Sequence, residues 1–448
     1  MLKQETMLIR FVVSNFLSFD EEREFNMIAG NFKTHKHHVY DAGKVNVLKA
    51  SAVYGANGAG KSNLVKALEF FQEIIEEGRV EKSVNPKKFR LNKTNEGKPS
   101  TFEIELSVNK KLYSYGVSIN RTIVVEEWLY ESGVTAEDKM IFERKINSND
   151  KTEIVFANKY QKSSKQKLLI ELMEESLLKS NELLLAKEKE LKIDDVESVK
   201  KVLVDGIVII HPHSKFLPLV PELTDSDTFK IFANKLLESF DTGVKELDVE
   251  TIDFERFFED EESKFKEEIL ENLDNGEDII YKGMLLTKEN SKYIVKKVIA
   301  QHEDKEGNKI SFDLLDESDG TQRLLDFLPA FYNMLERDIT FVIDEIDQSM
   351  HPSLLKSMIN KVMAEENTKG QLIFTTHESN LLDMSIFRQD EIWFVEKDKK
   401  SGCSQLYSLS DFKPRYDLDI QKGYLKGRFG AIPFLANLKD LSWIGHGT

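Results

Sequence analysis

The sequence runs Gly55-Ala56-Asn57-Gly58-Ala59-Gly60-Lys61-Ser62 and so matches, at every fixed position, the pattern GxxxxGK followed by Ser or Thr. An apolar run, Val45–Tyr54, precedes it, and Lys61–Glu77 follows with apolar residues at helical spacing. Glycines let such a loop curl until its backbone N–H groups, at the start of a helix, face a phosphate. The stretch therefore predicts a nucleotide-phosphate site. Lys61 would bridge the β- and γ-phosphates, Ser62 would ligate Mg²⁺, and the loop itself would be formed by Gly55, Asn57, Gly58 and Gly60.

A second apolar segment, residues 340–344, ends in the carboxylate Asp344 and is followed directly by Glu345. One strand later, Phe374-Thr375-Thr376 leads into His377. Ligands bind where the carboxyl ends of parallel strands meet. We therefore expect Asp344 to hold Mg²⁺, Glu345 to act as general base toward a water, and His377 to contact the γ-phosphate or that water.

A third motif is a small polar turn about twenty residues before Asp344, at the start of a predicted helix, residues 323–335. The turn is Glu317-Ser318-Asp319-Gly320-Thr321. A helix N-terminus of this kind attracts anions. Because Lys61 already serves the chain's own nucleotide, Ser318, Gly320 and Thr321 are predicted to reach into the site of a partner subunit. An ordinary N-cap is the equally simple alternative.

Composition limits the classes of protein that remain. The chain has 448 residues, 40% hydrophobic and 31% charged, with a formal net charge of −16 and one cysteine, Cys403. These values predict a cytoplasmic protein of two or more lobes, with no membrane span, no signal peptide and no disulfide framework. The acidic balance disfavours a tight grip on nucleic acid, although a local basic groove stays open, and it suits a basic protein partner.

The order of phosphate loop, Ser-x-Gly signature, acidic strand and histidine resembles that of the ABC-type ATPase heads, which SMC proteins, RecF and the OLD nucleases share. The resemblance implies Mg-ATP as ligand and a homodimer, or a higher even-numbered oligomer, joined head to tail through composite ATP sites. The signature departs from LSGGQ at Glu317, Asp319 and Thr321, and Gln322 comes one place late.

The fold class expected from this resemblance is α/β: an ABC-type P-loop ATPase head with a mixed sheet and a β-meander, interrupted by a mainly helical insertion. We expect residues 1–160 to form the N-terminal half of the head and 279–448 its C-terminal half. The helical insertion or arm would span 161–278, with a leucine-rich helix over Lys165–Leu191.

The chain is more similar still to the RloA-like and AbiL-like prokaryotic ATPases and to the AriA ATPase of the PARIS defence system. The similarity rests on Ser14-Asn15-Phe16, the Glu317–Thr321 turn, Asp344-Glu345-Ile346-Asp347 with His351-Pro352, Thr376-His377, Asp390–Phe394 and the tail from Tyr424 to Pro433. It implies an ATPase that senses infection and regulates a separately encoded toxic effector, expected to be a nuclease.

Rival interpretations stay open. One is a DNA-repair or DNA-clamping ATPase of the RecF or SMC kind; another is a scaffold that binds nucleotide without hydrolysis. GTP is disfavoured because Asn92-Lys93-Thr94-Asn95 lacks the aspartate of the guanine-reading NKxD motif. The polar loop with His35, His37 and His38 is a weak candidate for a metal site, because such a site needs further ligands and a fixed second shell.

Overall fold

A computed structural model of the chain describes residues 5–133, 137–147, 149, 151–212, 219–240, 242–259, 263–415 and 418–432. Pro433, at the end of the tail motif, lies outside these residues. The chain divides into two compact units: Met1–Ile209 with Arg337–Ile346 and Met363–Thr448, and Ile210–Glu336 with Asp347–Val362. These boundaries differ from the expected ones, since 161–209 falls within the first unit and 279–336 within the second.

The strands of the described residues are, in chain order, β1 Thr6–Ser14, β2 Arg23–Asn26, β3 Val39–Asp41, β4 Asn46–Leu48, β5 Ala50–Tyr54, β6 Ser100–Val108, β7 Lys111–Asn120, β8 Ile123–Glu131, β9 Lys139–Ile146, β10 Thr152–Phe156, β11 Ile207–Ile210, β12 Glu246–Asp253, β13 Ile279–Tyr281, β14 Met284–Glu289, β15 Lys292–Glu303, β16 Lys309–Asp313, β17 Thr340–Ile343, β18 Gln371–Thr376, β19 Ile392–Lys397 and β20 Ser404–Ser408. The α-helices are α1 Lys61–Glu77, α2 Ser164–Leu172, α3 Glu188–Leu191, α4 Asp194–Asp205, α5 Leu219–Asp225, α6 Asp227–Ser239, α7 Phe254–Phe257, α8 Ser263–Asp274, α9 Asp319–Glu336, α10 Pro352–Met363 and α11 Ile420–Leu425.

The first unit is built on two large sheets, beside the short pair β3-β4. An antiparallel sheet has the order β10-β9-β8-β7-β6-β1-β2, and its consecutive strands β6 to β10 form the expected β-meander. The other sheet has the order β11-β17-β18-β5-β19-β20, in which β17, β18, β5 and β19 are parallel neighbours and β20 runs antiparallel. The expected α/β class with a mixed sheet is confirmed.

Helix α1 lies in the core between these sheets. The ring of Phe71 packs against Phe11, Phe102 and Tyr115 of the antiparallel sheet, with centroids 5.8–6.1 Å apart. Val342 and Ile373 of the mixed sheet belong to the same hydrophobic cluster. Burial of each such side chain stabilises the fold by about 1.5–3 kcal/mol. The helix that begins at Lys61 is therefore firmly anchored.

The second unit contains an antiparallel sheet of order β12-β15-β14-β13, with β16 also paired to β15. Helices α7 and α8 cover it through a small core around Phe254, Phe258 and Leu273. Tyr332 of α9 packs edge-on against Phe229 of α6, with ring centroids 5.1 Å apart. The segment expected to be mainly helical, 161–278, thus contributes helices, and it also supplies strand β12 of this sheet.

Helix α1 has the predicted bounds, Lys61–Glu77, and the strand predicted over 340–344 is β17. The continuous helix predicted over Lys165–Leu191 is wrong. Helix α2 ends at Leu172, a π-helical turn covers Met173–Leu177, and α-helix returns only in α3. In the described part of the chain, no helix combines the length and apolar character that a membrane crossing requires.

Candidate nucleotide site

The phosphate loop connects β5 to α1 and has a tightly packed backbone. A Cβ atom at Gly55 would collide with the carbonyl oxygen of Val395, and one at Gly60 would collide with the Ser404 hydroxyl. Gly60 also has a φ of 118°, a conformation open in practice only to glycine. No side chain caps α1, and its first turn holds no acid. The positive end of the helix dipole is left for an anion.

Two serines that the sequence did not single out support this loop. The Ser404 hydroxyl donates to the carbonyl oxygen of Ala59 at 2.6 Å and lies 2.7 Å from the Ser18 hydroxyl. Asn63 of α1 donates its amide to the same Ser18 hydroxyl at 2.7 Å. Ser18 and Ser404 come from distant parts of the sequence, so only the fold brings them beneath the loop.

The structure brings Lys61 and His377 together. Lys61 is 4% exposed, and its ammonium donates to the carbonyl oxygen of Gly55 at 2.9 Å. The same ammonium lies 2.9 Å from Nε2 of His377. It also lies 3.3 Å from Nδ1, so it is close to both nitrogens of the imidazole ring. The two residues expected to contact the γ-phosphate therefore lie side by side.

Thr375 joins the two acidic residues expected at the end of β17. Its hydroxyl donates to Oδ1 of Asp344 at 2.5 Å and accepts the backbone N–H of Glu345 at 2.8 Å. Asp344 is 3% exposed, whereas Glu345 is only partly buried. Glu345 also has a left-handed φ of 50°, which is uncommon for a residue other than glycine and clusters at functional sites.

Strand register explains why these groups share one edge of the sheet. Ile343 pairs with Phe374, and Thr376 pairs with Tyr54, so the residues that follow β17, β18 and β5 leave the sheet on the same side. That edge carries Asp344, Glu345, His377 and the phosphate loop. A hydroxyl at Ser62 and a buried carboxylate at Asp344 are the oxygen ligands that Mg²⁺ prefers, so the residues present fit Mg-ATP.

The predicted signature turn belongs to the second unit, whereas the phosphate loop belongs to the first. The Ser318 hydroxyl accepts the backbone N–H of Thr321 at 3.2 Å and lies 2.9 Å from the Thr321 hydroxyl. Glu317 is bound by Nε2 of His302 at 2.6 Å. Ser318 therefore has the geometry of an N-cap of α9, and Ser318, Gly320 and the neighbouring hydroxyl form a fixed turn.

The three histidines of the polar loop also lie together, with one nitrogen of each within 4.8 Å of the others. The Nε2 atom of each histidine faces a backbone carbonyl oxygen. His37 and His38 share the oxygen of Met363, and His35 faces that of Met384. Nδ1 of His38 lies 2.9 Å from the fully buried carboxyl of Glu391. Burial lowers the pKa of His38 to about 4 and raises the pKa of Glu391 well above its usual value. The buried contact between His38 and Glu391, here called the clasp, joins this loop to the start of β19.

A family model described as "AAA domain, putative AbiEii toxin, Type IV TA system" matches residues 50–383 of the chain. The match includes the phosphate loop, the signature turn, both carboxylates and His377. No curated protein sequence gives a significant match.

Among solved structures, the chain is similar to the SMC head domain from Thermotoga maritima, with 11% identity, a TM-score of 0.38, and coverage of 90% of this chain and 98% of that one. It is similar to an SMC head bound to the C-terminal winged-helix domain of ScpA, with 11% identity, a TM-score of 0.43, and coverage of 90% and 97%. It is also similar to a Pyrococcus furiosus SMC head with an extended coiled coil, bound to the C-terminal domain of ScpA. The sequence identity is 13% and the TM-score 0.39, and the match covers 91% of this chain and 97% of that one.

Proposed function

The chain belongs to the AAA-domain family that carries the type IV toxin–antitoxin description, and from this membership we propose that it is a Mg²⁺-dependent ATPase controlling a separate toxic effector. The single observation that carries the ATPase assignment is the convergence of Lys61, His377, Asp344 and Glu345 at one sheet edge beside an uncapped helix N-terminus.

In this proposal each residue has a distinct task. Backbone N–H groups of the phosphate loop and the Lys61 ammonium bind the ATP phosphates. Ser62 and Asp344 hold Mg²⁺, which neutralises phosphate charge when it is bound. Glu345 takes a proton from the attacking water, and His377 orients the terminal phosphate or that water.

Arrival of ATP requires an exchange of partners at Lys61. The ammonium now donates to Gly55 and lies against His377, and phosphate oxygens would replace at least one of these contacts. His377 is exposed and follows the end of β18, so it can turn toward a phosphate without repacking the core.

We further propose that two copies form composite sites in which the Ser318 turn of one serves the ATP of the other. Gly320 presents no side chain at the start of α9, a helix of eighteen residues, and the neighbouring Ser318 is exposed, whereas Thr321 is buried. Such a turn suits a phosphate that approaches from outside its own subunit.

The biological setting we propose is prokaryotic antiviral defence in the cytoplasm, in the manner of the RloA-like, AbiL-like and AriA ATPases. The toxin–antitoxin description of the family supports it, as does the net charge of −16, which suits a basic effector better than DNA. A nuclease is the effector expected, and the second unit offers surface beyond what ATP hydrolysis needs.

Co-purification and phage challenge test the proposal together. Tagged wild-type protein should retain the product of a neighbouring gene in a nucleotide-sensitive manner, and Lys61→Ala should abolish phage protection in cells. Exposed Lys66→Ala on the same helix is the matched control and should protect like wild type. Nanomolar binding of duplex DNA by the ATPase alone at physiological salt, without any retained partner, would instead support the RecF- or SMC-like alternative.

A further inference from the structure

A cavity of about 410 Å³ opens beside β19 and β20, in the first unit. Its volume is within the range of ordinary ligand pockets. It has no part in the nucleotide chemistry proposed above. The side chains that shape it are Glu396, Tyr407, Asp411, Phe412, Arg428 and Phe429.

Three aromatic rings form one wall of this cavity, here called the Phe412 cavity. The ring of Phe412 lies 5.7 Å from that of Tyr407 and 5.4 Å from that of Phe429, nearly perpendicular to the latter. Phe412 is 44% exposed, whereas Phe429 is 1% exposed. The buried ring of Phe429 thus supports the ring of Phe412, which is open to solvent. Such a ring is the usual partner of a planar cation.

Charge selects the kind of ligand. Glu396 and Asp411 contribute two exposed carboxylates, against the single guanidinium of Arg428. The Tyr407 hydroxyl lies 2.8 Å from the carbonyl oxygen of Phe429 and 3.1 Å from one oxygen of Glu396, so its single proton is shared between these two acceptors at the cavity wall. Burial and the nearby Glu396 raise the pKa of Tyr407, so its phenol stays neutral. The lining therefore favours a cation.

Arg428 shows that the aromatic wall accepts a guanidinium, since its Cζ lies 5.9 Å from the centroid of Phe429. Phe412, the more exposed ring, is available for a second one. Arginine suits this place better than lysine, because its planar group stacks on a ring while it binds a carboxylate through two N–H groups.

We infer that the Phe412 cavity receives an arginine side chain of a protein partner, which would stack on Phe412 and pair with Glu396 or Asp411. A nucleobase would also stack on the ring, but its phosphates would face two carboxylates on a chain of net charge −16. Lysine, which lacks a flat face, should bind more weakly.

Titration of the purified full chain with N-acetyl-arginine amide, followed by saturation-transfer NMR, tests the inference. The neutral isostere N-acetyl-citrulline amide and adenosine serve as competing probes. Glu396→Gln removes the charge but keeps an acceptor for Tyr407, and Phe412→Ala removes the exposed ring. Glu268→Gln and Leu425→Ala are matched controls, being an exposed acid and an exposed apolar residue elsewhere.

We expect the arginine probe to bind with a dissociation constant on the order of millimolar, as suits so small a ligand. Citrulline should bind at least about 10-fold more weakly, because the charge-assisted contacts are lost. Both cavity variants should weaken arginine binding by about 3-fold or more, while both controls match wild type. Equal binding of arginine and citrulline, unchanged binding in the two cavity variants, or binding of adenosine alone would each overturn the assignment.

Discussion

Glu345 combines a left-handed backbone with a position directly after a buried strand, and Thr375 holds its N–H in place. Strain of this kind, roughly 1–3 kcal/mol, persists where the surrounding structure imposes it. The conformation starts the turn after β17 at the sheet edge where the phosphate loop lies. This geometry suits a residue whose carboxylate, in the proposed mechanism, contacts a water rather than a neighbouring side chain.

Replacement of this carboxylate should separate binding from hydrolysis. We expect Glu345→Gln to bind ATP as wild type does but to release phosphate at least about 100-fold more slowly, because a neutral amide cannot accept the proton of the water. Equilibrium binding of ATP and steady-state phosphate release measure the two effects. Exposed Glu366→Gln should change neither, and wild-type turnover in Glu345→Gln would remove Glu345 from its role as base.

Thr375 is a positioning residue that acts through both carboxylate-bearing residues. Thr375→Val keeps the shape but leaves Oδ1 of Asp344 and the N–H of Glu345 without their partner, at about 1–3 kcal/mol for each buried group. We expect kcat to fall by about 10-fold or more, while Thr375→Ser, which restores the hydroxyl, recovers most of it. If Thr375→Val folds and keeps the wild-type kcat, the hydroxyl does not position the site.

At the scale of elements, the clasp between the histidine loop and β19 makes stability depend on pH. The pKa of Glu391 is raised in the fold, so its contribution is lost as pH rises from about 4.5 through the folded value. The pKa of His38 is lowered from 6.5 to about 4, so its contribution is lost only as pH falls through that window.

We therefore expect the free energy of unfolding, relative to that of Glu391→Gln, to fall as pH rises above about 4.5, with a slope of at most about 1.4 kcal/mol per pH unit for one proton. In Glu391→Gln, whose amide can still bond His38 and the N–H of Arg388, the free energy of unfolding should depend less on pH over the same range. Urea denaturation at several pH values measures both slopes. If the free energy of unfolding varies with pH in parallel for the two proteins, Glu391 does not bind its proton more tightly in the folded state.

Elements defined by local pattern were predictable, and those defined by distant partners were not. Helix α1 follows from its own spacing and the glycines before it. The helix predicted over Lys165–Leu191 fails because the consecutive leucines 183–185 are all fully buried, which no single helix face permits. The buried carboxylate of Glu127, on β8, accepts the N–H groups of Leu184 and Leu185, where a separate 3-10 helix, Leu185–Lys187, begins.

The candidate site shows the same division between local and distant information. Lys61, Asp344, Glu345 and His377 could be named from the sequence because each ends or begins an element with a recognisable pattern. Ser404 and Ser18 could not, since nothing near either serine indicates that they meet below the phosphate loop.

At the scale of the whole molecule, the composite-site proposal predicts complementation. Gly320→Asp should abolish hydrolysis, because a carboxylate at the start of α9 would repel a partner's γ-phosphate, yet its own phosphate loop should still bind ATP. Lys61→Ala should also abolish hydrolysis, but there the phosphate loop is impaired while the Ser318 turn stays intact. Mixing the two should restore part of the phosphate release, since a mixed dimer holds one intact site. Absence of rescue in verified mixed dimers would contradict a shared site.

The support of the phosphate loop by Ser404 also sets the time at which the site can exist during synthesis. Ser404 lies 345 residues after Ala59, and β5 takes its neighbours β18 and β19 from the same late part of the chain. At roughly 5–20 residues per second, a ribosome needs about 17–70 s to deliver them after the loop itself. Until then the nascent chain carries a phosphate-loop sequence without its sheet, and pairings this distant in sequence form slowly. The nucleotide site can therefore be complete only after the segment that carries β18, β19 and Ser404 has been synthesised.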